Sequence, residues 1–137
     1  MTTEDTQKRQ GRIILYCAGS ANVGQMTQTV AFELARQGVG RLLCLAGIGA
    51  RLKGFVTSAR QIEETVVLDG CEIGCGKKIL EDNDVAVTHY FVMTAQGIKK
   101  SYQGGPQPEE VDHVLDAVKR SLPGTATAVF PMADTLK

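Results

Sequence analysis

The stretch Val66-Val67-Leu68-Asp69-Gly70-Cys71-Glu72-Ile73-Gly74-Cys75-Gly76-Lys77-Lys78-Ile79-Leu80-Glu81 runs from an apolar segment through a glycine-rich turn into a helix-like one. Val66-Val67-Leu68 fits a strand buried on both faces of a sheet. Gly70, Gly74 and Gly76 permit positive φ and a close approach of the backbone. A strand, a sharp turn and a helix start form the repeating unit of an α/β fold. Cys71 and Cys75 both lie inside this turn.

The same unit recurs on either side. Upstream, Arg12-Ile13-Ile14-Leu15-Tyr16-Cys17 is a short apolar run ending in the small residues Ala18-Gly19-Ser20-Ala21-Asn22. A helix follows over 23–37, with Val23, Met26, Val30, Ala31 and Leu34 on one face. Ser20 or Asn22 is the expected N-cap and Gly38 the stop. Arg41-Leu42-Leu43-Cys44-Leu45 reads as a second strand, with Ala46-Gly47-Ile48-Gly49 as its turn. The next helix carries Leu52, Phe55, Val56, Ala59 and Ile62 on one face. Downstream, Asn83-Asp84 breaks a short helix, and Val87 to Thr94 reads as a fourth strand. Pro108 suits the first turn of a last helix bearing Val111, Val114, Leu115, Val118 and Leu122. Thr125 to Phe130 fits a short edge strand.

Strands alternating with helices at this spacing imply right-handed βαβ units. The expected fold is a single three-layer α/β domain with a mainly parallel sheet of four or five strands. Flavodoxin-like sheets suggest the strand order 2-1-3-4. The domain is expected over 11–131, with tails at 1–10 and 132–137. Ligands of such sheets sit beyond the C-terminal strand ends. Cys17, Cys44, Cys71 and Cys75 all follow or end strands, so topology brings the four thiols to one sheet edge.

Composition narrows the function classes. The 137 residues carry 15 Lys and Arg against 15 Asp and Glu. That balance argues against nucleic acid or an anionic membrane as the main partner. The first ten residues are polar and have no apolar core of a signal peptide. A cytoplasmic location is expected, where thiols stay reduced and four cysteines favour metal or thiol chemistry over disulfides.

Three motifs resemble the DGC-domain family, whose members are described as zinc-binding. They are Cys17-Ala18-Gly19-Ser20-Ala21-Asn22-Val23-Gly24-Gln25, Cys44-Leu45-Ala46-Gly47-Ile48-Gly49-Ala50, and Asp69-Gly70-Cys71 with its continuation to Lys78. The resemblance covers roughly residues 12–100. It implies a metal-binding role for Cys17, Cys44, Cys71 and Cys75, and no particular reaction. Gly76 departs from the expected small residue with a Cβ, such as Ala.

Zinc takes four thiolates in a tetrahedron as a structural set. Cys71 and Cys75 at i and i+4 would share one side of a helical turn, with the helix N-terminus and Lys77 or Lys78 favouring thiolates. The same residues suit an alternative, thiol redox or sulfur transfer. Free cysteines also serve as small buried hydrophobes. Asp69 is expected to hold the turn through its own backbone more than to act as a base. Ser20 is read as an N-cap or a ligand contact. His89 reads as a mid-strand core residue. His113, Lys99-Lys100, Arg51 and Lys53 read as solvated.

Nucleotide motifs fail. Gly19 to Gly24 has P-loop glycine spacing, but Gln25 and Met26 replace the required Lys and Ser or Thr. Val23 stands where a cysteine-phosphatase loop needs Arg. Gly47-Ile48-Gly49 is followed by Leu52, not the third glycine of a dinucleotide fingerprint.

Overall fold

Alternation along the apolar strands sorts their side chains onto two faces of one sheet. The computed structural model describes residues 11–124. Strands β1 (Arg12–Tyr16), β2 (Arg41–Leu42), β3 (Glu64–Asp69) and β4 (His89–Val92) pair in the order β2-β1-β3-β4. All three pairings are parallel. This is the expected order.

Ile14, Val66 and Leu68 face one layer of helices, α1 (Asn22–Arg36) and α5 (Pro108–Ser121). Ile13, Leu15 and Val67 face the other, made of α2 (Leu45–Gly49), α3 (Lys53–Gln61) and α4 (Cys75–Asp82). The apolar stripe read for α1 is buried throughout, as are Val111, Val114 and Val118 of α5. Pro108 opens α5, and Gly38 takes φ +78° just past α1.

Several expectations need correction. Residues 46–49, read as a turn, form helix α2 together with Leu45, read as the end of the second strand. Strand β2 therefore stops at Leu42, and Cys44 is the N-cap of α2. Leu52 is the N-cap of α3 and half exposed, not part of its buried face. Neither Ser20 nor Asn22 caps α1; Ala21 holds that position, with no side-chain cap. Strand β4 is shorter than read, beginning at His89 and passing into a 3-10 turn over Met93–Gln96. The tails and the edge strand expected at 125–130 lie outside the described residues. No helix among the described residues is long and apolar enough to cross a membrane.

The N-terminal ends of the strands carry an ionic cluster away from the thiols. Arg12 Nε donates to Glu64 Oε2 at 2.7 Å, and His89 Nε2 lies 3.2 Å from the same oxygen. Burial pushes the Glu64 carboxyl up, but the hydrogen bond and charge of Arg12, then His89, outweigh it. The net effect holds Glu64 below its ordinary value of 4.5. A lowered folded value adds stability above the unfolded value and loses it as pH falls through the folded one. The parent is expected to lose more stability than Glu64→Gln from about pH 6 to about pH 3. Urea unfolding at both pH values checks this; equal losses would remove any role for the cluster.

Candidate functional site

At the opposite sheet edge, β1 and β3 end on the cysteine turns. Ladder bonding continues past β1, where Cys17 N–H donates to Leu68 O at 3.1 Å. Ala18 then takes φ +52°, a left-handed conformation costing about 1 kcal/mol in a residue with a Cβ. Its N–H donates to Thr27 Oγ1 at 3.2 Å, and the Thr27 hydroxyl donates to Gly24 O at 2.6 Å.

Three backbones meet beside Cys17. A Cβ on Gly24 would stand 2.5 Å from Gly19 O, and one on Gly70 would stand 2.8 Å from Gly24 N. The small residues of these turns thus serve close packing. Of the three glycines in the cysteine turn, Gly74 alone takes a positive φ, +70°, as the N-cap of α4.

Asp69 holds that turn differently from the expected local bond to its own backbone. It is 1% exposed at the end of β3. Its Oδ1 accepts from Gly76 N–H at 2.8 Å, and its Oδ2 accepts from Lys77 N–H at 3.1 Å and Tyr90 O–H at 2.7 Å. These are the free amides at the start of α4, so a buried carboxylate caps the helix from outside its sequence. Gly76 is explained by the same contact: a Cβ there would lie 2.8 Å from Asp69 Oδ1. Burial first, then Asp69, then the charges of Cys17 and Cys71, raise Tyr90 well above its ordinary value. Its hydroxyl therefore keeps its proton and keeps donating.

Cys17, Cys71 and Cys75 line one cleft of about 180 Å³ with Ser20, Gly70 and Lys100. Cys17 and Cys71 are half-buried, and Cys75 is exposed. Cys17 Sγ accepts from Gly70 N–H at 3.4 Å and lies 3.8 Å from Thr27 Oγ1. Cys71 Sγ accepts from Lys100 Nζ at 3.5 Å. The side chain of Tyr102 first, and Cys71 after it, hold the Lys100 ammonium above its ordinary value. Ile73 and Tyr102, both exposed, complete the apolar part of the wall.

Cys44 is placed elsewhere. It is exposed and lines a second cleft of about 600 Å³ with Tyr16, Phe32, Leu43 and Ile79. Cys17 lines both clefts. Among the described residues, no three His, Cys, Asp or Glu side chains stand together so as to hold a metal ion. The four-thiol set as arranged is therefore not a closed zinc site.

Lys77 also departs from its expected part. Its Nζ lies 5.2 Å from the Tyr90 ring centroid and 3.9 Å from Glu81 Oε1. The helix-start amides expected to favour thiolates are engaged by Asp69. Lys100, read as solvated, is the cation at the sulfur instead. Asn22 positions it: its side chain donates to Lys99 O at 2.9 Å and accepts from Ser101 N–H at 2.7 Å. Both flanking residues of Lys100 are thus tied to the start of α1. Lys99-Lys100 follows the last strand, so the strand-end rule that found the cysteines points to this lysine too. His89 pairs with Glu64 at the opposite end of the strands, and His113 is exposed on α5.

The family model for the DGC domain matches residues 13–118. The chain belongs to the DGC-domain family. Its match takes in all four cysteines and both clefts. A relative from Pseudomonas aeruginosa PAO1, named anaerobic and virulence modulator AnvM, is 28% identical over 110 residues. That alignment covers 80% of this DGC protein and 84% of the relative. No solved structure gives a significant match.

Proposed function

We propose that this DGC protein works through thiolate chemistry in the cleft of Cys17, Cys71 and Cys75, with Cys71 as the attacking sulfur. The Lys100 ammonium against Cys71 Sγ carries the reading. A cation at that distance stabilises negative charge on sulfur, and the thiolate is the nucleophile. The reaction class is thiol–disulfide exchange or transfer of sulfane sulfur. Cys71 attacks one sulfur of an S–S bond and bonds to it, and the electron pair of the broken bond leaves with the other sulfur. Such chemistry suits a reducing, cytoplasmic compartment. The relative's name, an anaerobic modulator, supports a role tied to redox conditions. The partner is a small sulfur compound or a metal ion; the balanced charge gives no reason to invoke nucleic acid.

A second reading keeps zinc as the cofactor, because three sulfurs already line one cleft. In it, Cys17, Cys44, Cys71 and Cys75 hold the ion for structure, sensing or delivery, and the three thiols of the cleft as well as Cys44 have to move to converge on it.

Competitive alkylation and metal analysis test both readings. Cys71 is expected to react with iodoacetamide about tenfold faster than Cys44 near neutral pH. Lys100→Met is expected to slow it about fivefold, through loss of the cation beside the sulfur. An unchanged rate in Lys100→Met would overturn the thiolate reading. About one zinc per chain without added metal, lost in Cys71→Ser, would put zinc ahead.

A further inference from the structure

We propose that Cys17 is a shared resolving thiol that pairs in turn with Cys71 and Cys44, passing a disulfide from the small cleft to the large one. The inference rests on the thiolate reading and adds the route the electrons take.

Strand order is the basis. With β2, β1 and β3 adjacent in that sequence, Cys44, Cys17 and Cys71 follow three neighbouring strands. Pairing persists past the strand ends: Leu43 N–H donates to Ile14 O at 3.1 Å, just before Cys44. Cys17 N–H donates to Leu68 O at the same distance. Cys17 Sγ accepts from Gly70 N–H at 3.4 Å, one residue before Cys71, and Cys17 and Cys44 line the large cleft together. Cys44 and Cys71 follow strands two spacings apart, about 10 Å, beyond the Cα separation of roughly 4.4–6.8 Å that a disulfide needs. Cys17 follows the strand between them and is the one cysteine that lines both clefts. A relay through this middle thiol, not a cluster, is the arrangement in keeping with that placement.

The chemistry balances with a low-molecular-weight disulfide, RSSR, as oxidant. Cys71 thiolate attacks one sulfur, forming Cys71–S–S–R and releasing RS⁻. Cys17 thiolate attacks the Cys71 sulfur, forming Cys17–S–S–Cys71 and releasing the second RS⁻. Cys44 thiolate then attacks the Cys17 sulfur, and the bonding pair returns to Cys71 as thiolate. Two protein thiols are oxidised, one RSSR is reduced, and the two RS⁻ take up the protons given up by the protein thiols.

Glutathione disulfide is the probe, with the full-length protein quenched by acid and mapped by non-reducing peptide mass spectrometry. The expected order in the parent is glutathione on Cys71, then Cys17–Cys71, then Cys17–Cys44. Cys44→Ser should stop at Cys17–Cys71, and its yield should rise severalfold over the parent. Cys17→Ser should retain glutathione on Cys71, with the fold checked by circular dichroism. Slower reaction of Cys71 than of Cys44 would overturn the thiolate reading itself. Fast reaction of Cys71 followed by a Cys71–Cys75 bond, with Cys17 reduced throughout, would overturn the relay alone. Because the parent is mapped directly, a variant that fails to fold does not rescue the idea.

Discussion

Asp69→Ala is expected to destabilise the domain by about 2–4 kcal/mol. Asp69 is the acceptor for two amides at the start of α4 and for the Tyr90 hydroxyl. Loss of a helix cap costs about 0.5–2 kcal/mol, and each buried polar group left without a partner costs about 1–3 kcal/mol. Water entering the vacated space recovers part of this. Against a total stability of about 5–15 kcal/mol, the loss is large, and the thermal midpoint should fall by roughly 10 °C. Tyr90→Phe removes one donor and leaves Asp69 two amides, so it should cost about 1 kcal/mol. The two effects should not add, because they share one hydrogen bond. Urea unfolding of the parent, both single variants and the double variant measures this. If Asp69→Ala unfolds within about 0.5 kcal/mol of the parent, the carboxylate does not hold the cysteine turn.

Gly24→Ala should be the most damaging of the glycine substitutions at the site. The added Cβ would meet the Gly19 carbonyl oxygen at 2.5 Å, backbone against backbone, with no flexible side chain to move aside. The expected cost is about 3 kcal/mol, at the upper end for overpacking. Gly70→Ala meets Gly24 N at 2.8 Å and should behave similarly. Gly54→Ala is the control. It sits inside α3 with nothing within 4 Å of its added Cβ. Helix propensity alone should stabilise it by about 0.5–1 kcal/mol. Gly24→Ala should also part the turns that carry Cys17 and Cys71, lowering the yield of Cys17–Cys71 disulfide in whatever fraction remains folded. Stability and disulfide yield both at parental level would mean that the three turns are not tightly packed.

The sequence by itself determined the layered α/β fold, while the strand order came from analogy with flavodoxin-like sheets. The fold follows from local pattern: apolar runs of strand length, helical spacing from Val23 to Leu34, and the handedness of parallel crossovers. It also put Cys17 and Cys71 at strand ends, since these can be read from where apolar runs stop; Cys44, read inside the second strand, lies two residues beyond it. Tertiary structure decided which thiols share a cleft. Helix α2 begins directly after Cys44, and five residues of mostly small side chains carry too little periodicity to reveal it. The cation at Cys71 depends on Asn22, 78 positions away by number, tying down both neighbours of Lys100. The glycine at 76 depends on a carboxylate seven residues earlier folding back over the helix start. None of these contacts leaves a periodic trace, because each is a meeting of single residues from separate turns. Periodicity reports which face of an element is buried; only the packed backbone decides which side chains meet at its end.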